Sequence, residues 1–551
     1  MHGLMMKEAL LASSLLSHAA ENHPRTQIVS KLSSGRVHRY GYAEAEGRCK
    51  RLAKALRLLG IGNGDRVATL AWNEYRHFEL FYGVTGVGAI CHTLNPRLPY
   101  DQLQFIAHHA GDRMLFLDPG FVDLAQSIVR DVPSITHCVV LCDRDSMPPT
   151  ILPGVISYEE LLAASADDFE WPQFDELNAS TLCYTSGTTG QPKGVLHSHR
   201  SLVLSAFMNC SANVFRYSSW DSICPVTPMF HGNSWGSPFG AAMAGAKLVL
   251  PGQDVSPAAL FELFEAEGVT LTLGVPTVWL GLLELVESRG CGFSTLQRVL
   301  TGGTAPPLSM FQRFERLGVE VMHAWGMTEI SPTGTVSLPT PELEAAGAAA
   351  VEASRLKQGR AVFGVRRKLV DDNDAAVPFD GTTPGALLVR GPVVASRYYD
   401  KPDDMNAFDA DGWLRTGDIA TIDRHGFMSI VDRSKDLIKS GGEWISSVEL
   451  ENLAMNHPDV SQAAAIGVPH PKWGERPLLV VTLQSGRLLD RQSILNHLGQ
   501  HLARWQLPDA VLAVQALPLT ATGKVNKVAL REIYANYKPS DAGMARGQVD
   551  E

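Results

Sequence analysis

A basic excess is lacking. Lys and Arg number 48 against 58 Asp and Glu, a net charge of −10, which argues against nucleic acid as the main partner. Anions must therefore be bound by local donors, not by a global field. Cysteine is missing beyond Cys291, and the eight that occur start at Cys49. Only Cys138 and Cys142 are close together, and no second cluster completes a zinc-type spacing. They read as buried thiols in a reducing, cytoplasmic setting. A membrane-spanning run is also lacking. The longest stretch free of Asp, Glu, Lys and Arg, Ser222–Ala246, is broken by Pro225, Pro228 and Pro238 and carries His231 and Asn233. A signal peptide is not apparent either. Glu8 and three serines interrupt the apolar N-terminus, and Leu10, Leu11, Ser14, Leu15 and His18 fit one helix face. Repeats and low-complexity segments are absent. With 45% apolar and 19% charged residues, what remains is an ordinary globular chain with a large core.

A length of 551 residues suggests three to five structural units. Residues 40–60 read as an amphipathic helix with Ala45, Cys49, Leu52, Leu56 and Leu59 on one side. A turn at Gly62-Asn63-Gly64-Asp65 leads into the apolar strand Arg66–Leu70. A helix (78–88), a strand (89–94) and a helix (100–110) follow, then buried strands at Leu115–Leu117 and Cys138–Leu141. The rhythm returns as helix 200–215, strand 246–250, helix 257–267, strand 270–274 and helix 276–288. Such alternation predicts two tandem α/β layers with parallel sheets. From about residue 359, short strands (Val365–Val370, Gly385–Arg390, Gly426–Val431) with polar turns suggest a small antiparallel barrel. Beyond Asp432, strands Ala463–Gly467 and Leu478–Leu483 alternate with helices 447–456 and 491–503. That is enough for a separate α+β domain. The polar tail from Lys538 is expected to fray.

The segment with the most chemistry is Tyr184-Thr185-Ser186-Gly187-Thr188-Thr189-Gly190-Gln191-Pro192-Lys193-Gly194. An apolar strand enters a loop of glycines, hydroxyls and one lysine. Glycine lets backbone N–H groups converge on a phosphate, and hydroxyls and the ammonium add donors. A standard P-loop needs glycine before the lysine and a hydroxyl after it. Here Pro192 and Gly194 flank Lys193, so that reading fails.

The loop resembles the signature of adenylate-forming enzymes: acyl-CoA synthetases, luciferases and peptide-synthetase adenylation domains. Further family-like segments follow in order over nearly the whole chain. Phe230-His231 with Trp235 resembles the carboxylate-binding segment, and Gly302-Gly303-Thr304 the segment beside adenine. His323-Ala324-Trp325-Gly326-Met327-Thr328-Glu329 resembles the adenine and magnesium segment, and Gly412-Trp413-Leu414-Arg415-Thr416-Gly417-Asp418 the ribose segment. Asp432-Arg433-Ser434-Lys435-Asp436, Lys439 and Gly441-Gly442-Glu443-Trp444 resemble the hinge and the CoA-facing loop. Pro518-Leu519-Thr520-Ala521-Thr522-Gly523-Lys524 resembles the segment of the catalytic lysine.

The resemblance implies roles that the side chains suit. Joining ATP to a carboxylate places two anions together. Mg2+ with hard oxygen ligands would screen them, and Thr185 and Glu329 are the implied ligands. Trp325, where many members have tyrosine, offers a face for adenine. Asp418 can accept both ribose hydroxyls, with Arg433 beside it. Lys439 joins the implied nucleotide set. His231 and Trp235 would serve the carboxylate and gate an apolar acyl channel. Lys524, expected in an exposed loop, would reach in to stabilise the adenylation transition state.

The expected architecture is an α/β chain. A large N-terminal domain (1–433) has two α/β subdomains plus a small barrel, and a mobile α+β lid (434–551) hinges at Lys435. The implied activity is ATP-dependent acyl-CoA ligation through acyl-AMP, with a fatty or related aliphatic acid, ATP and CoA as small-molecule partners. A homodimer is compatible with the resemblance. The sequence leaves open a short thioether acid such as 3-methylthiopropionate, a fatty acyl-AMP ligase that uses no CoA, and a catalytically silent nucleotide-binding protein of the same fold.

Overall fold

The computed structural model describes residues 3–185, 191–401, 407–441, 443–520, 524–535 and 537. Helix Pro257–Glu267 shows why these segments fold as they do. The Ser256 hydroxyl accepts the Ala259 N–H, Pro257 occupies the first turn where no N–H is needed, and Gly268 closes the end at φ +59°. Strand Arg66–Leu70 is buried from Val67 to Leu70 because both faces of its sheet are covered.

Two large sheets form. One has seven strands in the order 156–157, 137–140, 114–117, 66–70, 90–93, 179–185, 193–198. Only its last pair, 179–185 with 193–198, is antiparallel. The other has nine strands in the order 360–361, 333–337, 320–326, 298–301, 271–274, 222–225, 247–250, 27–31, 37–41. The layers are therefore not strictly tandem. Strand Gln27–Lys31 crosses over and pairs in parallel with Lys247–Leu250, with Ile28 opposite Leu248.

Helix Tyr75–Gly86 is buried on every face because sheets and helices enclose it. Burying each of Phe78, Phe81 and Tyr82 contributes roughly 1.5–3 kcal/mol. Its one carboxylate, Glu79, is paired with Arg48 (2.7 Å) and accepts from the Tyr158 hydroxyl (2.7 Å), which offsets the cost of burying charge. At Gly83 a Cβ would lie 2.4 Å from Leu52, so only glycine admits this packing.

Several expectations shift. The N-terminal helix, Ala12–Asn22, buries Ala12, Leu15, Leu16 and Ala19, while Ser14 and His18 face solvent. The apolar face is rotated toward Leu16, which packs in the main core. The helix expected over 200–215 is His199–Cys210 and that over 491–503 is Arg491–Leu498. The antiparallel unit is a four-stranded sheet, 366–370, 385–390, 414–422 and 428–433. Its first and last strands do not pair among the described residues, so it is open where a barrel was expected. The C-terminal region forms a five-stranded sheet around Gly474–Leu483, which pairs with Val460–His470 and Ala510–Ala513. The tail from Lys538 lies outside the described residues. No described helix is long and apolar enough to cross a membrane. All eight cysteines are unpaired, six of them buried.

Candidate active site

Parallel sheets leave a crevice beyond the carboxyl ends of their strands, and a cavity of about 160 Å³ lies there. Strand 222–225 runs on into Val226–Pro228, 271–274 ends in Gly274 and Val275, and 298–301 is followed by Gly302 and Gly303. Strand 320–326 supplies Ala324, Trp325 and Gly326, all on the cavity wall. Phe230, His231 and Trp235 close the apolar side, and Lys524 enters from the C-terminal region.

The wall that carries His231 and Trp235 has an unusual backbone. Gly232, Asn233, Ser234, Trp235 and Gly236 all have φ between +51° and +74°. This is a left-handed turn in which three residues are not glycine. Each of those three costs about 1–2 kcal/mol. The turn closes through Ser234 N–H to the His231 carbonyl (3.1 Å) and Gly236 N–H to the Asn233 carbonyl (3.0 Å). The Ser234 hydroxyl donates to the Thr227 carbonyl and Asn209 to that of Trp235. The Trp235 ring then lies against Gly302, 3.4 Å from where a Cβ would sit.

Lys524 is half-buried, not solvated as expected of an exposed loop. At Gly303, which has φ +85°, an added Cβ would lie 3.1 Å from its Cε and 3.5 Å from its Nζ. Burial, reinforced by the nearby Arg433 cation, pulls its pKa down to about 8, and Asp418 opposes this. Burial, with Lys524 adding to it, lowers His231 to about 4. Its imidazole is therefore neutral at pH 7 and can hydrogen-bond a carboxylate or carboxyl group but not neutralise it.

Asp418 is buried between two donors. The Trp325 indole N–H donates to Oδ2 (2.8 Å), and Arg433 Nε pairs with Oδ1 (2.6 Å). Each oxygen keeps a second lone pair for a hydroxyl. Trp325 is more core than open platform: a Cβ at Gly334 would lie 2.5 Å from its ring. Tryptophan in place of tyrosine here supplies the N–H that fixes Asp418.

Glu329 is buried, and desolvation raises its pKa against the pull of the Tyr398 hydrogen bond. The Tyr398 hydroxyl donates to Oε1 (2.7 Å), and Lys193 Nζ sits 4.6 Å from the Tyr398 ring centre. Tyr398 is a site residue that no local sequence pattern marks. Thr185 pairs with Lys193 across the hairpin. Ser186, Gly187, Thr188, Thr189 and Gly190 lie outside the described residues, as does Gly442. Among the described residues no cluster of three or more His, Cys, Asp or Glu is arranged to hold a metal.

Some expected residues are not brought to the cavity. The His323 ring packs against Phe311, 6.3 Å between centres. His323 is paired with Thr301 and Ser337 inside the sheet, below the strand ends where the cavity opens. Thr304 is exposed and does not line the cavity, whereas Thr328 does. Lys439 is exposed, its ammonium 5.0 Å from the ring centre of its cross-strand neighbour Trp444. Gly441, at φ +64°, backs onto Trp473, whose ring a Cβ would meet at 2.8 Å. Lys435 is exposed between Arg433 and Asp436, the latter tied to Arg531 at 2.5 Å.

This chain belongs to the family of AMP-binding enzymes, which it matches over residues 16–399; residues 449–524 match the C-terminal domain of those enzymes. It is similar to acid–CoA ligases along its whole length. The 3-methylmercaptopropionyl-CoA ligase of Ruegeria lacuscaerulensis is 48% identical, over 97% of this chain and 98% of that protein. The medium-chain-fatty-acid–CoA ligase of Ectopseudomonas oleovorans is 45% identical, over 97% and 98%. The fold is shared with the anthranilate CoA ligase AuaEII in complex with anthranoyl-AMP. Its TM-score is 0.86 at 23% identity, over 96% of this chain and 98% of that one.

Proposed function

We propose that the chain is an ATP-dependent acyl-CoA ligase for an aliphatic carboxylic acid. The observation that carries this is the meeting of Lys524 with Gly303 at the mouth of an apolar cavity, beside the Asp418–Arg433 pair. In the first step a carboxylate oxygen attacks the α-phosphorus of ATP, and pyrophosphate leaves. Lys524 supplies positive charge where negative charge develops. His231 and Trp235 hold the acid, with the acyl chain along Phe230 and Val278. Gly303, Ala324, Trp325, Gly326 and Thr328 border the adenine, Asp418 and Arg433 take the ribose, and Thr185, Lys193 and the intervening loop take the phosphates. Thr304, His323 and Lys439 are assigned by resemblance only.

A buried carboxylate such as Glu329 is one that a cation returns to its charged form. With Thr185 it would hold Mg2+, which screens the triphosphate charge. In the second step the CoA sulfur attacks the acyl carbonyl and AMP leaves. Residues 434–551 act as a lid on 1–433, turning at Lys435 so that Gly441, Gly442 and Trp444 replace Lys524 at the site. A cytoplasmic location fits the unpaired thiols, and a homodimer is the assembly we expect.

The name of the Ruegeria relative favours a second reading of the substrate, a short thioether acid. Pyrophosphate release is to be measured from propanoate to palmitate and with 3-methylmercaptopropionate, followed by CoA-dependent thioester formation. Release with an aliphatic acid followed by thioester is expected. ATP binding without pyrophosphate release for any acid would refute the proposal. Release without thioester would make the chain an acyl-AMP ligase.

A further inference from the structure

Three consecutive non-glycine residues in the left-handed region need a holder, and a buried chain of hydrogen bonds behind the cavity wall supplies it. Asn233 Nδ2 donates to Thr181 Oγ1 at 3.0 Å. Thr181 Oγ1 lies 3.1 Å from His197 Nδ1, and His197 Nε2 lies 2.8 Å from the Thr328 carbonyl oxygen. A carbonyl only accepts, so Nε2 carries the proton, Nδ1 accepts, and Thr181 must donate. Burial lowers the His197 pKa, which keeps the ring in this neutral form. The Cys183 thiol donates to Asn233 Oδ1 (3.3 Å), filling the other end of the amide. Asn233, Thr181, Cys183 and His197 are each at most 4% exposed. Every direction in the chain is thus fixed.

We propose that Asn233, Thr181 and His197 form a positioning relay that sets acid selectivity without touching the acid. The relay anchors the left-handed turn to two other parts of the site. One is strand Ala179–Thr185, which leads to the phosphate-type loop. The other is the backbone of Thr328, next to Glu329. The Trp235 backbone, from which the ring reaches Gly302, cannot shift without loosening the turn, and the turn cannot loosen without breaking buried hydrogen bonds that water cannot replace. The inference rests on the ligase reading above and deepens it: the acyl wall is held as a rigid stop.

Thr181→Val is the test, because valine keeps the shape, suits a strand and removes only the hydroxyl. The KM for the preferred acid is expected to rise about tenfold or more, since small misplacements are costly. The chain-length profile should flatten, with the KM for ATP within about twofold of wild type. Thr181→Ser, which keeps the hydroxyl, should retain the wild-type profile. Asn233→Gly accepts φ +53° freely but lacks the amide, and is expected to behave like Thr181→Val. An unchanged acid KM and profile in Thr181→Val, whatever its melting temperature, would overturn the relay. So would a wild-type profile in Asn233→Gly, which would reduce Asn233 to a backbone requirement. Pyrophosphate release by the wild-type chain tests the ligase reading separately, and the variant-to-wild-type ratios test the relay.

Discussion

Replacing Lys524 by alanine removes an ammonium placed at the cavity mouth. Its Nζ stands beside Gly303, half-buried, where a charge acts through less screening than in water. Losing one preorganised donor to a developing charge typically costs about 10²–10³ in rate, or about 2.7–4 kcal/mol. Acyl-AMP formation, followed as pyrophosphate release, should fall by about that factor. Conversion of synthetic acyl-AMP and CoA to thioester should stay near wild type. Equal loss in both half-reactions would refute a role confined to the first. The pH dependence adds a second readout. The lysine pKa is lowered from 10.5 to about 8, so wild-type adenylation should decline as pH rises through about 8, while Lys524→Ala loses that limb. Closure of the proposed lid follows the opposite sign. Between pH 8 and 10.5 the closed form binds fewer protons than a solvated lysine would. Closure is therefore penalised most below 8 and eased as pH rises through that window.

Trp235→Ala should leave the KM for ATP nearly unchanged, raise the KM for the preferred acid and flatten the chain-length profile. The loss of packing is roughly 1–3 kcal/mol, and an unaltered profile with a lower melting temperature would make Trp235 ordinary core. Lys435→Pro fixes φ near −65° at the expected hinge; it should spare adenylation and abolish thioester formation, and equal retention of both would place the hinge elsewhere. Trp325→Phe removes a neutral donor to a buried carboxylate, a bond worth about 1.5–3 kcal/mol. The KM for ATP should rise about tenfold or more, and an unchanged value would show that Asp418 needs only Arg433.

Elements with punctuation were legible. Helix 100–110 ends at Gly111 in the left-handed region, and helix 257–267 sits between Ser256 and Gly268. The helix expected over 491–503 runs too far, because Gln500, His501, Leu502 and Ala503 carry helix-compatible side chains, although Gly499 caps the helix after Leu498. The open four-stranded sheet could not be told from a barrel, since closure depends on pairing between distant strands and not on local pattern. Within the site, Lys524, Asp418, Arg433, His231 and Trp235 lay in readable segments. What their motifs did not reveal was direction. His323 is in the same segment as Trp325 yet packs under the sheet. The left-handed turn is hidden as well, because serine and tryptophan rarely adopt positive φ, and a lone asparagine, which does so more readily, does not mark a run of three. Tyr398, Thr181 and His197 each have a partner more than 50 residues away, beyond the reach of any spacing argument.

Synthesis on the ribosome meets a delay built into the strand order. Ile28 and Leu248 are neighbours in the nine-stranded sheet, yet about 220 residues separate them, roughly 10–45 s of translation at common elongation rates. During that interval the emerging hairpin 27–41 has no parallel partner, and Ile28 and Val29, fully buried in the finished protein, remain available to other chains. The first layer has its own strands in order and can close meanwhile. The second must wait, with its edge already made and its centre not yet translated. A nascent chain stalled near residue 200 should therefore be sticky and a client for chaperones, whereas one released past residue 250 can shelter its first strand.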